Sequence, residues 1–309
     1  MSRSLGVLIG YAADRALGDP QRWHPVAGFG QAASVLEHRM YADSRARGVA
    51  YTTVLVGSVV VAGAAIERAT RDRPAAHTTV TAIATWAVLG GRSLARESTA
   101  IGRHLEKDDL PAARQRLTHL VARETSDLGP DEIARAVVES VAENTSDAVV
   151  APLLWGAVAG VPGLVGYRAA NTLDAMVGYK NPRHHRFGWA SARFDDLLNL
   201  PAARAGGVLV ALAEPARARE AVRIWRRDAS GHPSPNAGVV ESAFAGALGV
   251  RLGGTNIYHG VVEQRVVMGA GPAPVVADIG RANRLAGTVG WLAVAVVALG
   301  RVAIRRSPR

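Results

Sequence analysis

Residues 148–167 form a run of twenty residues that contains no charged side chain. A helix needs roughly 20 apolar residues to cross the hydrocarbon core of a bilayer, so this run is long enough to enter a membrane. Polar clusters flank it, with three carboxylates before it and Arg168, Asn171 and Asp174 after it. Ionisable groups beside an apolar segment are costly and usually serve a function. The pattern indicates a membrane enzyme or a transporter.

Other apolar runs cover residues 4–13, 48–66, 74–91 and 285–304, whereas residues 92–147 and 168–284 read as polar helices and loops. Strand signal is weak throughout, and the mean hydropathy of +0.09 fits several membrane helices combined with large polar segments. We therefore predict an all-α, polytopic integral membrane protein that forms one membrane-embedded domain over residues 1–309. Buried core helices are the alternative, but so many apolar runs are difficult to bury in one chain.

Basic residues predict the topology. The linker 68–73 carries three, whereas the segments 14–47 and 92–147 carry five and eight. The positive-inside rule places the two longer segments in the cytoplasm of a multi-pass protein of the cell inner membrane. A simple crossing at 148–167 would put the fifteen basic residues of 168–284 outside, against the same rule. Proline and glycine interrupt this run, so we expect a broken or re-entrant segment.

The composition excludes several classes of protein. The chain has no cysteine, which rules out disulfides, thiolate catalysis and cysteine-bound zinc. The net charge of +10 agrees with positive-inside topology, and the scattered arginines lack the aromatic platform of a nucleic-acid binder. Motifs for a phosphate loop, a dinucleotide fold, a nucleophile elbow and an H-E-x-x-H metal site are absent.

Glu139, Glu143 and Asp147 recur every fourth residue, which places three carboxylates on one helical face. Like charges at this spacing repel, so a divalent cation, arginine partners or solvent must compensate them. Hard oxygen ligands suit Mg²⁺, particularly when a phosphate completes the shell. The alternative is a solvated face that pairs with Arg135.

A second polar face follows the apolar run, where Arg168, Asn171 and Asp174 recur every third residue. They form either an intrahelical ion pair or a site in which the arginine binds a carboxylate or phosphate. Near the N-terminus, His24 is a candidate general acid or base, although a lone histidine before a proline is more often structural.

Several motifs, in order along the chain, resemble the CobD/CbiB family of cobalamin-biosynthesis proteins. They are DRALGDPQRWHPV from residue 14, ARET from 122, ESVAENTSD from 139, YRAANTLDAMVGYK from 167, FG from 187, ARFDD from 192, SPNAG from 234 and ALGVRLGG from 247. One departure is Glu124, where the family usually has aspartate. The carboxylate is kept one methylene further out, so we expect its role to survive.

The resemblance implies a multipass membrane enzyme, adenosylcobinamide-phosphate synthase, which is a C–N amide ligase. The implied reaction joins (R)-1-aminopropan-2-ol, or its O-phosphate, to the propionate carboxylate of adenosylcobyric acid. Because a carboxylate must be activated before an amine attacks it, ATP is the expected co-substrate and Mg²⁺ the expected metal. The lipid bilayer, a second copy of the chain and other corrinoid-pathway enzymes are candidate partners, and nucleic acid is not.

Site residues follow from these motifs. We expect catalysis from Glu139, Glu143, Asp147, Asp195 and Asp196, with the first three as Mg²⁺ ligands. The expected substrate-binding residues are His24, Arg123, Thr125, Asn144, Arg168, Asn171, Asp174, Lys180, Arg193, Ser234 and Asn236. Two other functions stay open: a membrane transporter for corrinoids and a non-catalytic membrane scaffold for them. Formation of a covalent product in detergent would distinguish the enzyme from both.

Overall fold

The computed structural model of the chain describes residues 2–19, 24–179, 181–258 and 261–306. A two-stranded antiparallel sheet accompanies the helices of these ranges. In chain order the elements are α1 (Ser2–Leu17), α2 (Pro25–Met40), α3 (Arg45–Thr70), α4 (Pro74–Val88), α5 (Gly91–Leu105), α6 (Leu110–Leu117), α7 (Pro130–Thr145), α8 (Ala151–Ala159), α9 (Val161–Val177), α10 (His184–Phe187), α11 (Trp189–Ala213), α12 (Ala218–Asp228), α13 (Ala237–Leu248), β1 (Leu252–Tyr258), β2 (Val261–Met268) and α14 (Val276–Arg306). The prediction of a helical protein is confirmed, and the β-hairpin is the departure from the all-α class.

The hairpin escaped the sequence pattern because two glycines interrupt its first strand. Gly253 and Gly254 have φ angles of +85° and +93°, a region that side chains other than glycine rarely adopt. The register shifts at this point: Leu252 pairs with Met268, but Gly254 pairs with Arg265, so β2 carries one more residue than β1. Such a bulge bends the strand and breaks the alternation by which strands are predicted.

Three helices of the described residues are long and apolar enough to cross a membrane: Arg45–Thr70, Trp189–Ala213 and Val276–Leu299. The first contains the predicted run 48–66, and the third contains most of the run 285–304. The second lies in the region 168–284, which the sequence pattern marked as polar. Charged residues near its start and Arg204 in its middle hid it, because together they leave no long charge-free run.

The run 148–167 is broken, as its prolines and glycines predict. A π-helical turn over Ser146–Val150 precedes α8, which ends at Ala159. Gly160 then takes a φ angle of +75°, and α9 begins at Val161 with a proline in its first turn. Glycine tolerates this backbone conformation, and proline at a helix start lacks only an N–H that would have no helical partner.

The chain divides into two compact units, and each is discontinuous in sequence. Unit 1 comprises Met1–Gly90, Ala151–Asn199 and Ala293–Arg309, and unit 2 comprises Gly91–Val150 and Leu200–Leu292. The core of unit 1 includes Tyr51, whose ring centroid lies 5.0 Å from that of Phe187. The Tyr51 hydroxyl donates to the carbonyl oxygen of Ala33 at 3.1 Å, so this large buried side chain keeps its polar atom bonded.

Within unit 1, helices α1 and α4 approach each other through small residues. A Cβ atom added to Gly6 would lie 2.6 Å from Cβ of Thr81, and one added to Gly10 would lie 2.5 Å from the carbonyl oxygen of Ala82. The two glycines are four residues apart, so both face α4 on one side of α1. Small residues at this spacing let helix backbones pack closely, as they do in membranes.

A carboxylate from α3 caps the N-terminus of α9 in the same unit. The backbone N–H of Val161 donates to Oε2 of Glu67 at 2.7 Å, and Arg3 forms an ion pair with the same carboxylate. The Nε2 atom of His77 lies 3.7 Å from Oε1 of Glu67. The Glu67 side chain of α3 thus contacts residues at the ends of α1, α4 and α9. A carboxylate at a helix N-terminus accepts from the free N–H groups and opposes the helix dipole, so this contact stabilises α9.

The packing of α1 on α4 generates a prediction about Gly10. We expect Gly10→Val to lower the thermal unfolding temperature of the purified protein, at a cost of about 1–3 kcal/mol, because the backbone of α4 leaves no room for a side chain. Gly28→Ala in α2 is the control, since its Cβ would meet nothing within 4 Å. Equal melting temperatures for Gly10→Val and the wild type would contradict the packing.

Candidate functional site

Helix α7 carries the central carboxylates of unit 2, and its start is well defined by sequence. Pro130 occupies the first helical position, and the Glu132 carboxylate accepts the backbone N–H of Gly129 at 2.8 Å. This arrangement satisfies an N–H group that has no partner within the helix. Most of the helix beyond the first turn is buried, so Glu139 points into protein, whereas Glu143 lies on the exposed side of the helix.

The Glu139 carboxylate is bonded at both oxygens. Arg123 donates from Nη2 to Oε2 at 2.5 Å, and the backbone N–H of Gly253 donates to Oε1 at 2.8 Å. The side chains of Arg123 and Glu139 are both only 6% exposed. A buried charge of this kind requires a partner and further hydrogen bonds, and here both are present. Arg123 and Glu139, which two separate motifs predicted as site residues, therefore form one buried contact.

The β-hairpin supplies the rest of this contact. Arg123 also donates from Nη1 to Oδ1 of Asn256 at 2.6 Å. Arg135 donates to the carbonyl oxygen of Gly253, and its Nη2 donates to that of Thr255 at 2.8 Å. A Cβ atom at Gly253 would collide with the carbonyl oxygen of Val266. Position 253, whose N–H group bonds Glu139, therefore has room only for glycine.

Two further carboxylates surround this pair. Although the Glu143 side chain reaches solvent, dense protein around it raises the pKa of its carboxyl group, with Arg265 opposing the shift and Glu139 adding to it. Glu241 of α13 is 4% exposed, and burial raises its pKa well above the ordinary value. Glu139 and then Glu143 add to this increase, so the three carboxylates are electrostatically close.

His232 faces Glu241 from the loop before α13. Its Nε2 atom lies 3.7 Å from Oε1 of Glu241, and the imidazole is only 3% exposed. This nitrogen is buried without a hydrogen-bond partner among the described residues. Burial lowers the pKa of His232, a hydrogen bond to Ser234 opposes the shift, and Arg265 adds to it. A neutral imidazole is therefore favoured.

The other predicted residues near α7 have local partners. Asn144 donates to the carbonyl oxygen of Ser140 at 2.9 Å, one turn back in its own helix. Asp147 lies half-buried in the π-helical turn, and Thr125 is buried in the turn region before α7. In the described ranges, no group of three or more histidine, aspartate or glutamate side chains is arranged to hold a metal ion. Because Glu139 is already bonded at both oxygens, the three predicted Mg²⁺ ligands do not fit a preformed metal site.

Ser234 and Asn236 shape the start of α13. The Ser234 hydroxyl accepts the N–H groups of Asn236 and Ala237 at 3.3 and 3.2 Å, which caps the helix. The Asn236 side-chain oxygen accepts from Nη1 of Arg204 at 3.0 Å. These contacts fix the loop that carries His232, so the structure gives both residues a positioning role.

In unit 1, the predicted residues of α9 meet those of α11 in a chain of hydrogen bonds. Arg168 donates from Nη1 to Oδ1 of Asn171 at 3.4 Å, and Asn171 donates from Nδ2 to Oδ1 of Asp195 at 3.4 Å. Asn199 donates from Nδ2 to the other Asp195 oxygen at 2.9 Å and accepts the Tyr167 hydroxyl at 2.8 Å. Asp195 is 7% exposed, so its carboxylate is bonded by amides in the interior.

The remaining predicted residues of unit 1 lie elsewhere. Nη1 of Arg193 lies 3.7 Å from the Asp196 carboxylate, and the Arg193 side chain is 69% exposed. His24 precedes α2, where its Nδ1 accepts the N–H of Val26 at 3.2 Å, which is the structural role expected of a histidine before proline. Asp174 is half-buried on α9. Lys180 lies outside the described residues.

Sequence patterns did not identify five members of the cluster in unit 2. They are His232, Glu241, Asn256, Arg265 and Arg135, the last of which donates to backbone carbonyl oxygens of the hairpin. One signal was available: Glu241 is the only charged residue in α13, whose twelve residues are all buried. A single carboxylate in such a helix needs a partner or a function. The others are recognisable only from the fold, since Arg123 and Asn256 are 133 positions apart.

The buried ion pair generates a prediction about stability. We expect Arg123→Met to destabilise the purified protein by about 3–5 kcal/mol, because Glu139 loses its partner while it stays buried. The double variant Arg123→Met/Glu139→Met should recover part of this loss. Arg116→Met is the matched control, since Arg116 pairs with Glu97 at 3.0 Å near the surface, and its cost should stay below about 1 kcal/mol. Equal costs for the two arginines would contradict the argument.

The lowered pKa of His232 generates a prediction about pH. The unfolded chain protonates this histidine near its ordinary pKa of 6.5, whereas the folded protein resists protonation, so stability falls as the pH drops below that value. We expect His232→Gln to lose less stability than the wild type between about pH 7 and pH 5, measured by thermal unfolding. His119→Gln, at an exposed histidine, should keep the wild-type pH dependence. Parallel curves for His232→Gln and the wild type would refute the prediction.

The chain is similar to known proteins over most of its length. The chain matches the family described as CobD/Cbib protein over residues 7–286. It is 54% identical over 285 residues to "Cobalamin biosynthesis protein CobD" of Mycobacterium tuberculosis, covering 91% of this chain and 90% of the relative. Identity to the proteins of the same name from Chromobacterium violaceum and Rhodobacter capsulatus is 42% over 301 and 286 residues. These alignments cover 94% and 89% of this chain, and 95% and 90% of the relatives.

No solved structure matches the chain. The family match nevertheless covers unit 2 almost completely, including α7, α13 and the β-hairpin, and most of unit 1. By this match and by the identities to its relatives, the chain belongs to the CobD/CbiB family of cobalamin biosynthesis proteins.

Proposed function

We propose that this chain is an adenosylcobinamide-phosphate synthase, which uses ATP to join (R)-1-aminopropan-2-ol or its O-phosphate to a propionate carboxylate of adenosylcobyric acid. The observation that carries the proposal is the cluster in unit 2. Three separate motifs of the chain contribute to it: Arg123 from the first, Glu139 and Glu143 from the second and Gly253 from the third. Buried charged groups gathered in this way are typical of sites that handle charged substrates.

The chemistry of the reaction fits charged residues of both signs. A carboxylate does not react with an amine until it is activated, and ATP supplies the activation in this proposal through an acyl phosphate. The amine nitrogen then forms a bond to the acyl carbon while the bond from that carbon to the phosphate oxygen breaks, so that phosphate leaves and the nitrogen gives up one proton to a base. Arginine side chains bind carboxylate and phosphate oxygens well, and carboxylates bind an ammonium group. Mg²⁺ enters the proposal with the nucleotide phosphates, since the α7 carboxylates form no metal site of their own.

The polar chain in unit 1 is a second part of the proposal. Arg168 and Asn171 offer a cation and an amide, and Asp195 is held in place by Asn171 and Asn199. We assign the arginine to binding of a substrate anion. The enzyme of this proposal is a multi-pass protein of the cell inner membrane, and three apolar helices and the excess of basic residues support that location.

The proposal predicts a defined product. Purified protein in detergent, supplied with adenosylcobyric acid, ATP, Mg²⁺ and either amino alcohol, should form the corresponding amide, read as a new mass by mass spectrometry. Product formation should require ATP. A transporter or a scaffold would yield no covalent product, and absence of the amide with both amino alcohols would overturn the proposal.

A matched pair of variants ties the activity to the cluster. We expect Glu143→Gln to lower the rate of amide formation by about tenfold or more, because a charged hydrogen-bonding group in the cluster is lost. Glu220→Gln, at a carboxylate paired with Arg223 on the surface of α12, should keep the wild-type rate. Equal rates for the two variants would separate the activity from this cluster.

A further inference from the structure

Helix α12 of unit 2 separates its charged residues from its buried ones. Four arginines recur at spacings of four, three and one residues, so they project from one side and together form the arginine face: Arg219, Arg223, Arg226 and Arg227. On the other side, Ala221 and Ile224 are buried, and a Cβ atom on Gly246 of α13 would lie 2.6 Å from Cα of Ala221. Since α13 already covers the apolar side, the arginine face is the side that stays open to a partner.

The arginine face carries more positive charge than the carboxylates of its own helix neutralise. Glu220 and Asp228 each accept from one of the arginines at 2.6 Å. The other two, Arg219 and Arg226, are exposed and form no ion pair within the ranges that the structure describes. They are seven residues apart, which separates their backbones by about 10 Å along the helix axis. Two cations at this separation suit a surface of repeated anionic groups better than a single small anion.

A shallow groove of about 670 Å³ follows the arginine face, with Ala218 and Val222 in its lining beside the four arginines. Small-molecule sites commonly have volumes of about 300–1,000 Å³, so the groove has room for a whole organic headgroup. The stem of an arginine side chain is aliphatic and its end is charged, so the lining is apolar at the helix and cationic at the rim. An amphiphilic ligand that carries a phosphate matches this arrangement.

The connection to α11 brings α12 close to the end of an apolar helix. Helix α11 is long and apolar enough to cross a membrane and ends at Ala213, five residues before α12 begins. Val208 and Leu212 are exposed near that end, one helical turn apart, as expected of a surface that contacts acyl chains.

A contact with α11 fixes the position of α12 along this helix. A Cβ atom on Gly207 would lie 3.1 Å from the ring of Trp225, and Gly207 precedes the end of α11 by six residues, or about 9 Å. Helix α12 therefore lies beside the last turns of α11, and tryptophan is enriched at this level, where membrane and water meet. Because Trp225 packs on α11, the arginine face offers nucleic-acid bases no aromatic platform.

We propose that the arginine face of α12 binds the phosphate groups of anionic phospholipids in the membrane surface at the end of α11. Guanidinium groups bind phosphate oxygens through paired hydrogen bonds, and clusters of four or more basic residues on a helix beside a membrane are typical of anionic-lipid recognition. The inference goes beyond the proposed reaction, since it needs α11 in a bilayer and needs no substrate of the enzyme.

Lipid titration of the full-length protein in a non-ionic detergent tests the inference. Binding of dihexanoylphosphatidylglycerol, an anionic lipid, is measured by calorimetry beside that of dihexanoylphosphatidylcholine, which has the same chains and no net charge. We expect the wild type to bind the anionic lipid at least about tenfold more tightly, and Arg219→Gln/Arg226→Gln to lose this preference with its charged hydrogen bonds. Added salt should weaken binding of the anionic lipid, because the guanidinium groups are exposed to solvent.

A second pair of arginines provides the matched control, Arg96→Gln/Arg103→Gln on α5. These two are also exposed, seven residues apart and without an ion pair among the described residues, so their replacement should keep the wild-type preference. Thermal unfolding without lipid should be the same for both double variants, because each removes only exposed side chains. An unchanged preference after the α12 substitutions, or an equal loss in the control, would overturn the inference.

Two competitors identify the source of the bound anion. Inorganic phosphate carries the charge without a lipid, and polyglutamate carries it on a protein chain. We expect each to bind at least about tenfold more weakly than the anionic lipid. Equal binding of phosphate would indicate a site for a free anion, and equal binding of polyglutamate would indicate a site for an acidic protein, and either result would overturn the inference. No substrate is present in this titration, so its result is independent of the proposed function.

Discussion

The contact between Arg123 and Glu139 places a full positive and a full negative charge almost completely out of water. Such a pair is tolerated only when its geometry is good and its remaining polar atoms are bonded. In unit 2 elements distant in sequence supply most of these bonds: the turn before α7, α7 itself and strand β1. The position of the hairpin therefore follows from the need to satisfy this pair. The loop and helix that carry His232 and Glu241 then complete the same charged environment.

Unit 1 depends on a different constraint, which is close contact between helices. Gly6 and Gly10 let α1 lie against α4, and Gly48 lies so near the backbone of Phe187 that it has no space for a side chain. Dispersion contacts at such short separations are individually weak but add up over a helix. Polar side chains such as Asn171 and Asp195 can then be held in a fixed arrangement, because the helices that carry them cannot shift.

Local patterns predicted those parts of the molecule that local physics determines. The prolines and glycines of 148–167 predicted the break in this run, and α7 starts by equally local rules, with Pro130 and two acidic residues in its first turn. The spacing of Glu139 and Glu143 predicted a common face, but not that an arginine sixteen residues earlier would occupy one of them. Helix α11 was hidden by charges near its start and by Arg204 in its middle, and the hairpin was hidden by two glycines with positive φ angles in its first strand. Glu241 was visible as a lone carboxylate, whereas its neighbours Arg265 and His232 are brought together only by tertiary folding.

The cap on α9 has a consequence for the order in which the chain folds. The Glu67 carboxylate that bonds the N–H of Val161 is 94 positions earlier in the chain, and Arg3 and His77, which surround it, also precede α9. A ribosome that synthesises the chain from its N-terminus thus completes the receiving site before the helix that fits it emerges. The intervening segment 91–150 belongs to unit 2, whose later part begins only at residue 200. Unit 1 can therefore close most of its helical core while unit 2 still waits for its second half.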